Sequence, residues 1–172
     1  MLIISFPFFS ESVCPKADYV SFNGVCYKDF AERKTYCDAR QTCDADGGLL
    51  AMPKDSATNT FIHELGKAND KRWIGKDKRW IGLTHAKTER QWVFADGQKL
   101  ASSAYINWSP GKPGKVHEDG EDCAEVGTAM HVWNDEPCSR TKGFVCQLGM
   151  YYDCNFMTNI GVWYIYDLHW CF

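Results

Sequence analysis

At 172 residues the chain suits one domain with a real core, and seven Trp, eight Tyr and ten Phe supply large apolar area for it. The formal net charge of -3, with basic and acidic residues interspersed, excludes a cationic stripe for nucleic acid phosphates, so no nucleic acid partner is expected. No apolar run approaches the roughly 20 residues that a bilayer crossing needs, so no membrane span is expected either.

Nine cysteines are too many for an ordinary cytosolic chain of this size, and no paired C-x-x-C spacing points to zinc. The expected compartment is oxidising, which makes the protein secreted. The odd count leaves at least one thiol outside intramolecular pairs. Residues 1–12, MLIISFPFFSES, read either as a clipped secretory signal or as an apolar N-terminal strand.

In chain order, Asn23-Gly24 lies between short apolar runs and predicts a tight hairpin turn, since both residues tolerate positive φ. Cys14 and Cys26 flank it, where a bridge would staple the entry strand. Thr35 with Asp38 three residues on predicts a helix start, Tyr36, Ala39 and Cys43 share a face, and Gly47 is a stop. A second helix is predicted from Ser56 to about Gly66, with Phe61, Ile62 and Leu65 on its apolar side. KRWIGKD at residues 71–77 is followed directly by KRWIGL at 78–83, a local duplication too short for a solenoid period. The second copy is the expected core strand, because Leu83 continues into Thr84.

Gln91 to Phe94, followed by the turn pair Asp96-Gly97, reads as a short strand. Ser109-Pro110-Gly111 and Pro113-Gly114 mark a long loop, and long ordered loops are usually functional. Residues 123–126, 130–133 and 143–147 read as three further short strands. A strand, two helices and then mostly strands predict an α+β domain. The aromatic-rich residues 149–172 fall outside this pattern, as an accessory strand pair or a tail.

The loop from Gly111 to Cys138 concentrates oxygen donors: Glu118, Asp119, Glu121 and Asp122 precede Cys123, and Trp133-Asn134-Asp135 precede Cys138. Calcium takes six to eight oxygens from carboxylates, amides and carbonyls, and this loop offers part of such a set. His117 and His131 with Glu118 lack a ligand spacing and read as exposed loop histidines; Trp133 reads as core. No Ser/His/Asp or Cys/His arrangement and no phosphate loop is present, so no enzymatic activity is expected.

These motifs together resemble the C-type lectin-like domain in its long form: Cys14-Pro15, Phe22-Asn23-Gly24 and Cys26-Tyr27; Cys43 with Gly47-Gly48 and Leu50-Ala51; Trp80-Ile81-Gly82-Leu83; Asp96-Gly97; Asn107-Trp108; Glu121-Asp122-Cys123; Trp133-Asn134-Asp135; and Gly143-Phe144-Val145-Cys146. The resemblance spans residues 14–148, leaving 1–13 and 149–172 as tails. It implies a double-loop α+β fold, with two helices on short antiparallel sheets and disulfides Cys14–Cys26, Cys43–Cys146 and Cys123–Cys138. Cys37, Cys154 and Cys171 stay outside that scheme.

The resemblance also implies a sugar-binding calcium site at Glu121, Asn134 and Asp135, completed by oxygen-bearing residues on either side of a cis-proline. Pro113 matches that proline, but Lys112 and Gly114 flank it, so two ligands are missing and a lysine stands beside the ion's seat. Lys112 is therefore counted with the sugar-contacting residues, and the sugar preference is expected to be non-standard. A weaker auxiliary calcium site is implied at Glu89 and Asp122, with Glu121, but His85 replaces the usual aspartate. The implied partner is a glycan or glycoprotein. The alternative is a calcium-independent, protein-binding or structural module.

Overall fold

The computed structural model describes residues 14–69, 78–86, 91–114, 123–127 and 131–149. The first elements are the hairpin strands β1 (Val20–Phe22) and β2 (Val25–Lys34), then helix α1 (Tyr36–Ala45), the short β3 (Leu49–Leu50) and helix α2 (Ser56–Asn69). Five strands follow: β4 (Arg79–Ala86), β5 (Gln91–Phe94), β6 (Cys123–Val126), β7 (Trp133–Glu136) and β8 (Lys142–Gly149). They form one mixed sheet in the order β1-β2-β8-β4-β6-β7, with β3 added to β8 and β5 to β4. Only β4 and β8 run parallel among these pairings. The α+β class and double-loop arrangement are as the motifs imply.

Local signals account for the first half. Asn23 and Gly24 take φ of 46° and 79°, so the β1–β2 turn closes on the two residue types that accept a left-handed backbone. Thr35 caps α1, its Oγ1 accepting from the Asp38 amide at 3.2 Å, and the buried residues of the helix are Tyr36, Ala39 and Cys43. Asp55 caps α2, accepting the Thr58 amide at 2.8 Å. That helix runs on through Gly66 to Asn69, three residues beyond the stop expected at the glycine. A single interior glycine costs a helix only about 1 kcal/mol, which the buried Ile62 and His63 face outweighs.

β8 is buried on both faces, and its alternation divides the core. Phe144, Cys146 and Leu148 join Tyr36, Ala39, Cys43 and Trp80 on the α1 side; Val145 joins Ile62, Ile81, Leu83, Phe94, Val126 and Trp133 on the α2 side. Each such large side chain contributes about 1.5–3 kcal/mol when fully buried. β4 is the second copy of the duplicated segment, as expected, and Gly82 within it is pressed so close that an added Cβ would lie 2.4 Å from the Leu50 carbonyl oxygen. The first copy lies outside the described residues.

Three disulfides lock this frame: Cys14–Cys26, Cys43–Cys146 and Cys123–Cys138. Cys43–Cys146 ties α1 to the central strand. The Tyr36 amide donates to the Cys138 carbonyl at 3.0 Å, which joins the start of α1 to the end of the loop region. Cys37 belongs to none of the three bridges; Cys154 and Cys171 lie outside the described residues.

Candidate functional site

β7 carries the Trp-Asn-Asp triplet, and its position is fixed from the long loop. Trp133 donates its amide to the Asn107 carbonyl at 2.7 Å and accepts from the Ser109 amide at 2.9 Å. Its indole Nε1 donates to Asn59 on α2 at 2.7 Å, and the rings of Tyr105 and Trp108 pack edge-on against it. Trp133 is therefore the core anchor that was expected, and it pins residues 105–109 over the second hydrophobic cluster. The strand begins at Trp133 rather than at residue 130, because His131 has φ of 56° and cannot belong to an extended ladder.

Alternation along β7 then sends Asn134 and Asp135 in opposite directions. Asp135 is buried and faces the long loop, where the Lys112–Pro113 peptide is cis. The Gly114 amide donates to its Oδ2 at 2.7 Å, and the Lys112 ammonium stands 2.9 Å from its Oδ1. That second contact is an ion pair without an aligned hydrogen bond. The two residues flanking Pro113 thus occupy both carboxylate oxygens of Asp135, one by charge and one by a backbone N–H.

Asn134 turns the other way. Its amide Nδ2 donates to Glu125 Oε1 at 2.9 Å and to Glu136 Oε1 at 3.2 Å. Glu125 is fully buried, held by Lys78 at Oε1 and by Lys142 at 2.7 Å from Oε2, and the Lys142 ammonium lies 5.2 Å from the centre of the Trp80 ring. A buried carboxylate between two ammonium groups is the arrangement that offsets its desolvation. The amide of Asn134 is one of its donors.

Calcium needs six to eight oxygens. Among the described residues the site brings one carboxylate, Asp135, already matched by an ammonium and an N–H, while Lys112 and Gly114 add no side-chain oxygen. Taken alone, these groups do not fit a calcium cage. The buried Oδ1 of Asp135 faces a cation that belongs to the chain itself. Glu121 and Asp122, the acids implied for the primary and auxiliary sites, lie outside the described residues, as do Glu89, Glu118, Asp119 and His117. His85 is on β4 with its ring edge-on to Trp92 at 5.7 Å.

One constellation escaped the sequence reading. His131, read as an exposed loop histidine, is partly buried and its ring stacks on that of His63 of α2 at 3.8 Å. Glu64 lies beside both. The available signal was helical spacing: Asn59, Ile62 and His63 stand at i, i+3 and i+4 and share the buried face of α2. The partner histidine, distant in sequence, carried no signal.

A double-loop α+β domain with three disulfides, a cis-proline loop and a Trp-Asn-Asp strand defines a C-type lectin-like protein. The profile described as the lectin C-type domain matches residues 32–148, and the chain belongs to that family. It is similar to a C-type lectin of Cerberus rynchops, 34% identical over 142 residues, which cover 78% of this chain and 82% of the relative. Among solved structures it resembles the carbohydrate-recognition domain of the mouse scavenger receptor C-type lectin, with a TM-score of 0.65 and 28% identity over 80% of this chain and 98% of the other. It also resembles a calcium-independent type II antifreeze protein, with a TM-score of 0.65 and 25% identity over 81% and 96% of the two chains. No helix among the described residues is long and apolar enough to cross a membrane.

Proposed function

We propose that the chain is a secreted recognition lectin that binds carbohydrate on the face where the cis-proline loop meets β7. Lys112, Asn134, Asp135 and Glu121 are the contact set, Asn134 joining it once its amide turns back from Glu125, and Glu89 with Asp122 is a weak auxiliary calcium pair. The observation that carries the reading is the Lys112–Asp135 ion pair, 2.9 Å apart at the position where the family's sugar site is implied. The Lys112 ammonium, 29% exposed and fixed by the buried Asp135, offers its remaining donors to a sugar hydroxyl. Belonging to the lectin family and the likeness to a carbohydrate-recognition domain support the same reading. Secretion is supported by the three disulfides, which persist in oxidising compartments.

Calcium assistance, at Glu121, Asn134 and Asp135, requires Lys112 to yield the Asp135 carboxylate and Asn134 to turn back from Glu125. The sugar preference is accordingly non-standard, since the residues beside Pro113 that would orient the hydroxyls are Lys112 and Gly114. A glycan array run with calcium and again with chelator tests both levels. Binding abolished by chelator supports calcium assistance; binding unchanged by it supports recognition through the lysine alone; no binding in either condition removes the carbohydrate reading.

The same ion pair favours a second reading, a calcium-independent module whose loop contacts a protein. The likeness to a calcium-independent type II antifreeze protein is consistent with it. Capture of a protein ligand that ignores both free sugars and chelator would select this alternative.

A further inference from the structure

We propose that His63, Glu64 and His131 form a binding site for a transition-metal ion of the zinc type, separate from the Asp135 face. One ligand atom from each of the three lies within 4.8 Å of the others. His63 Nδ1 is 3.2 Å and His131 Nε2 is 3.8 Å from the same oxygen, Glu64 Oε1. Ligands around a tetrahedral zinc ion, with bonds of about 2.0–2.2 Å, stand roughly 3.4 Å apart, so the spacing suits an ion once the stacked imidazoles, 29° between their planes, turn until their in-plane lone pairs converge on it. Two imidazole nitrogens and one carboxylate oxygen select zinc, copper or nickel over calcium, which prefers oxygen alone. The fourth position is left to water.

Burial grades the site from inside to outside. The His63 side chain is 4% exposed, His131 33% and Glu64 50%, so the first ligand is fixed in the core and the ion has an open approach past the other two. His131 is held rigidly for a loop residue. Its carbonyl accepts from Asn59 at 2.8 Å and from Asn107 at 2.7 Å, while its φ of 56° is a conformation that few residues other than glycine adopt. Holding a bulky imidazole there costs backbone energy, and it places the ring against His63. Asn59 also accepts from the Trp133 indole at 2.7 Å, so an ion at this site would brace the residues that enter β7.

The test is a zinc titration of the full disulfide-bonded chain after removal of metal by chelator and dialysis, read by calorimetry and by thermal shift. The expected result is saturable binding of one ion with a rise in Tm, lost in Glu64→Gln and in His131→Asn. Asparagine tolerates the positive φ, and Glu64 is half exposed, so neither change disturbs the core. If His131→Asn does not fold, Glu64→Gln alone decides. Absence of a zinc effect in the unaltered chain, or its survival in Glu64→Gln, overturns the site. The readout does not depend on sugar binding, so the lectin reading and this one stand or fall separately.

Discussion

The guanidinium of Arg79 on β4 reaches across β8 to clamp the carboxylate of Asp29 on β2, Nε to Oδ1 at 2.6 Å and Nη2 to Oδ2 at 3.3 Å. Both side chains are buried. The passage is open because Gly143 lies beneath: a Cβ there would stand 2.8 Å from Arg79 Cδ, Nε and Cζ. Removing one partner strips the other of its two-point counter-charge in a buried place, so Asp29→Asn or Arg79→Met should cost about 3–5 kcal/mol. Gly143→Ala, which keeps both charges, should cost about 1–3 kcal/mol by crowding the clamp. Urea denaturation of the three variants checks the order.

Lys112 makes a different kind of prediction, because it governs a site rather than the frame. Lys112→Met takes the ammonium away from the buried Oδ1 of Asp135 and should cost about 1–3 kcal/mol. Lys112→Glu places a second carboxylate at that position. It should be less stable than the unaltered chain in chelator and should gain stability on adding millimolar calcium, whereas Lys112→Met should gain little. Thermal shift with and without calcium distinguishes them.

Asp55 gives the acid limb of stability. Its carboxylate accepts from the Thr58 amide and hydroxyl at 2.8 and 2.7 Å, and the amide hydrogen bond is the main cause that holds its carboxyl below the ordinary value of 3.8. A depressed native value means that this stabilisation is present in full above the unfolded value and is lost as pH falls through the native one. Asp46, held low by hydrogen bonds from Lys16 and Tyr19, acts in the same direction. Asp55→Asn keeps an acceptor for the Thr58 amide but does not titrate there, so its stability should fall less steeply below pH 3.8 than that of the unaltered chain. Asp55→Ala should lose about 1 kcal/mol near neutral pH. Denaturation midpoints measured as a function of pH test both.

The disulfides should rank by the chain they enclose. Cys43–Cys146 spans 103 residues and Cys14–Cys26 spans 12. Loop-closure entropy assigns about 4.7 kcal/mol to a 100-residue loop and about 3 to a 15-residue one. Replacing both cysteines of the long bridge by alanine should therefore destabilise more than replacing both of the short one. Guanidinium midpoints for the two double variants give the comparison.

Where the determinants were local, the sequence could be read directly. Thr35 with Asp38 and Asn23 with Gly24 act within a few residues, and the structure uses each as expected. The motif set carried the three disulfide pairs, which spacing alone could not choose. What was not legible depended on tertiary partners. The β7 start moved from residue 130 to Trp133 because Asn59 and Asn107 hold the His131 carbonyl and its backbone is left-handed. Sequence placed Lys112 beside the implied ion seat, but only the fold shows its ammonium on Asp135 and the amide of Asn134 turned away toward Glu125. Composition cannot say which way a side chain faces.

The ammonium that meets Asp135 is tethered to the backbone, and this changes what controls the site. A dissociable ion has an occupancy set by its concentration outside the protein; a lysine is present at one equivalent per chain in every medium. The pair it forms with Asp135 is neutral, so a ligand meets a surface of hydrogen-bonding groups rather than a concentrated positive centre. Added salt, which weakens partly exposed ion pairs by screening, becomes the external variable to which this contact responds.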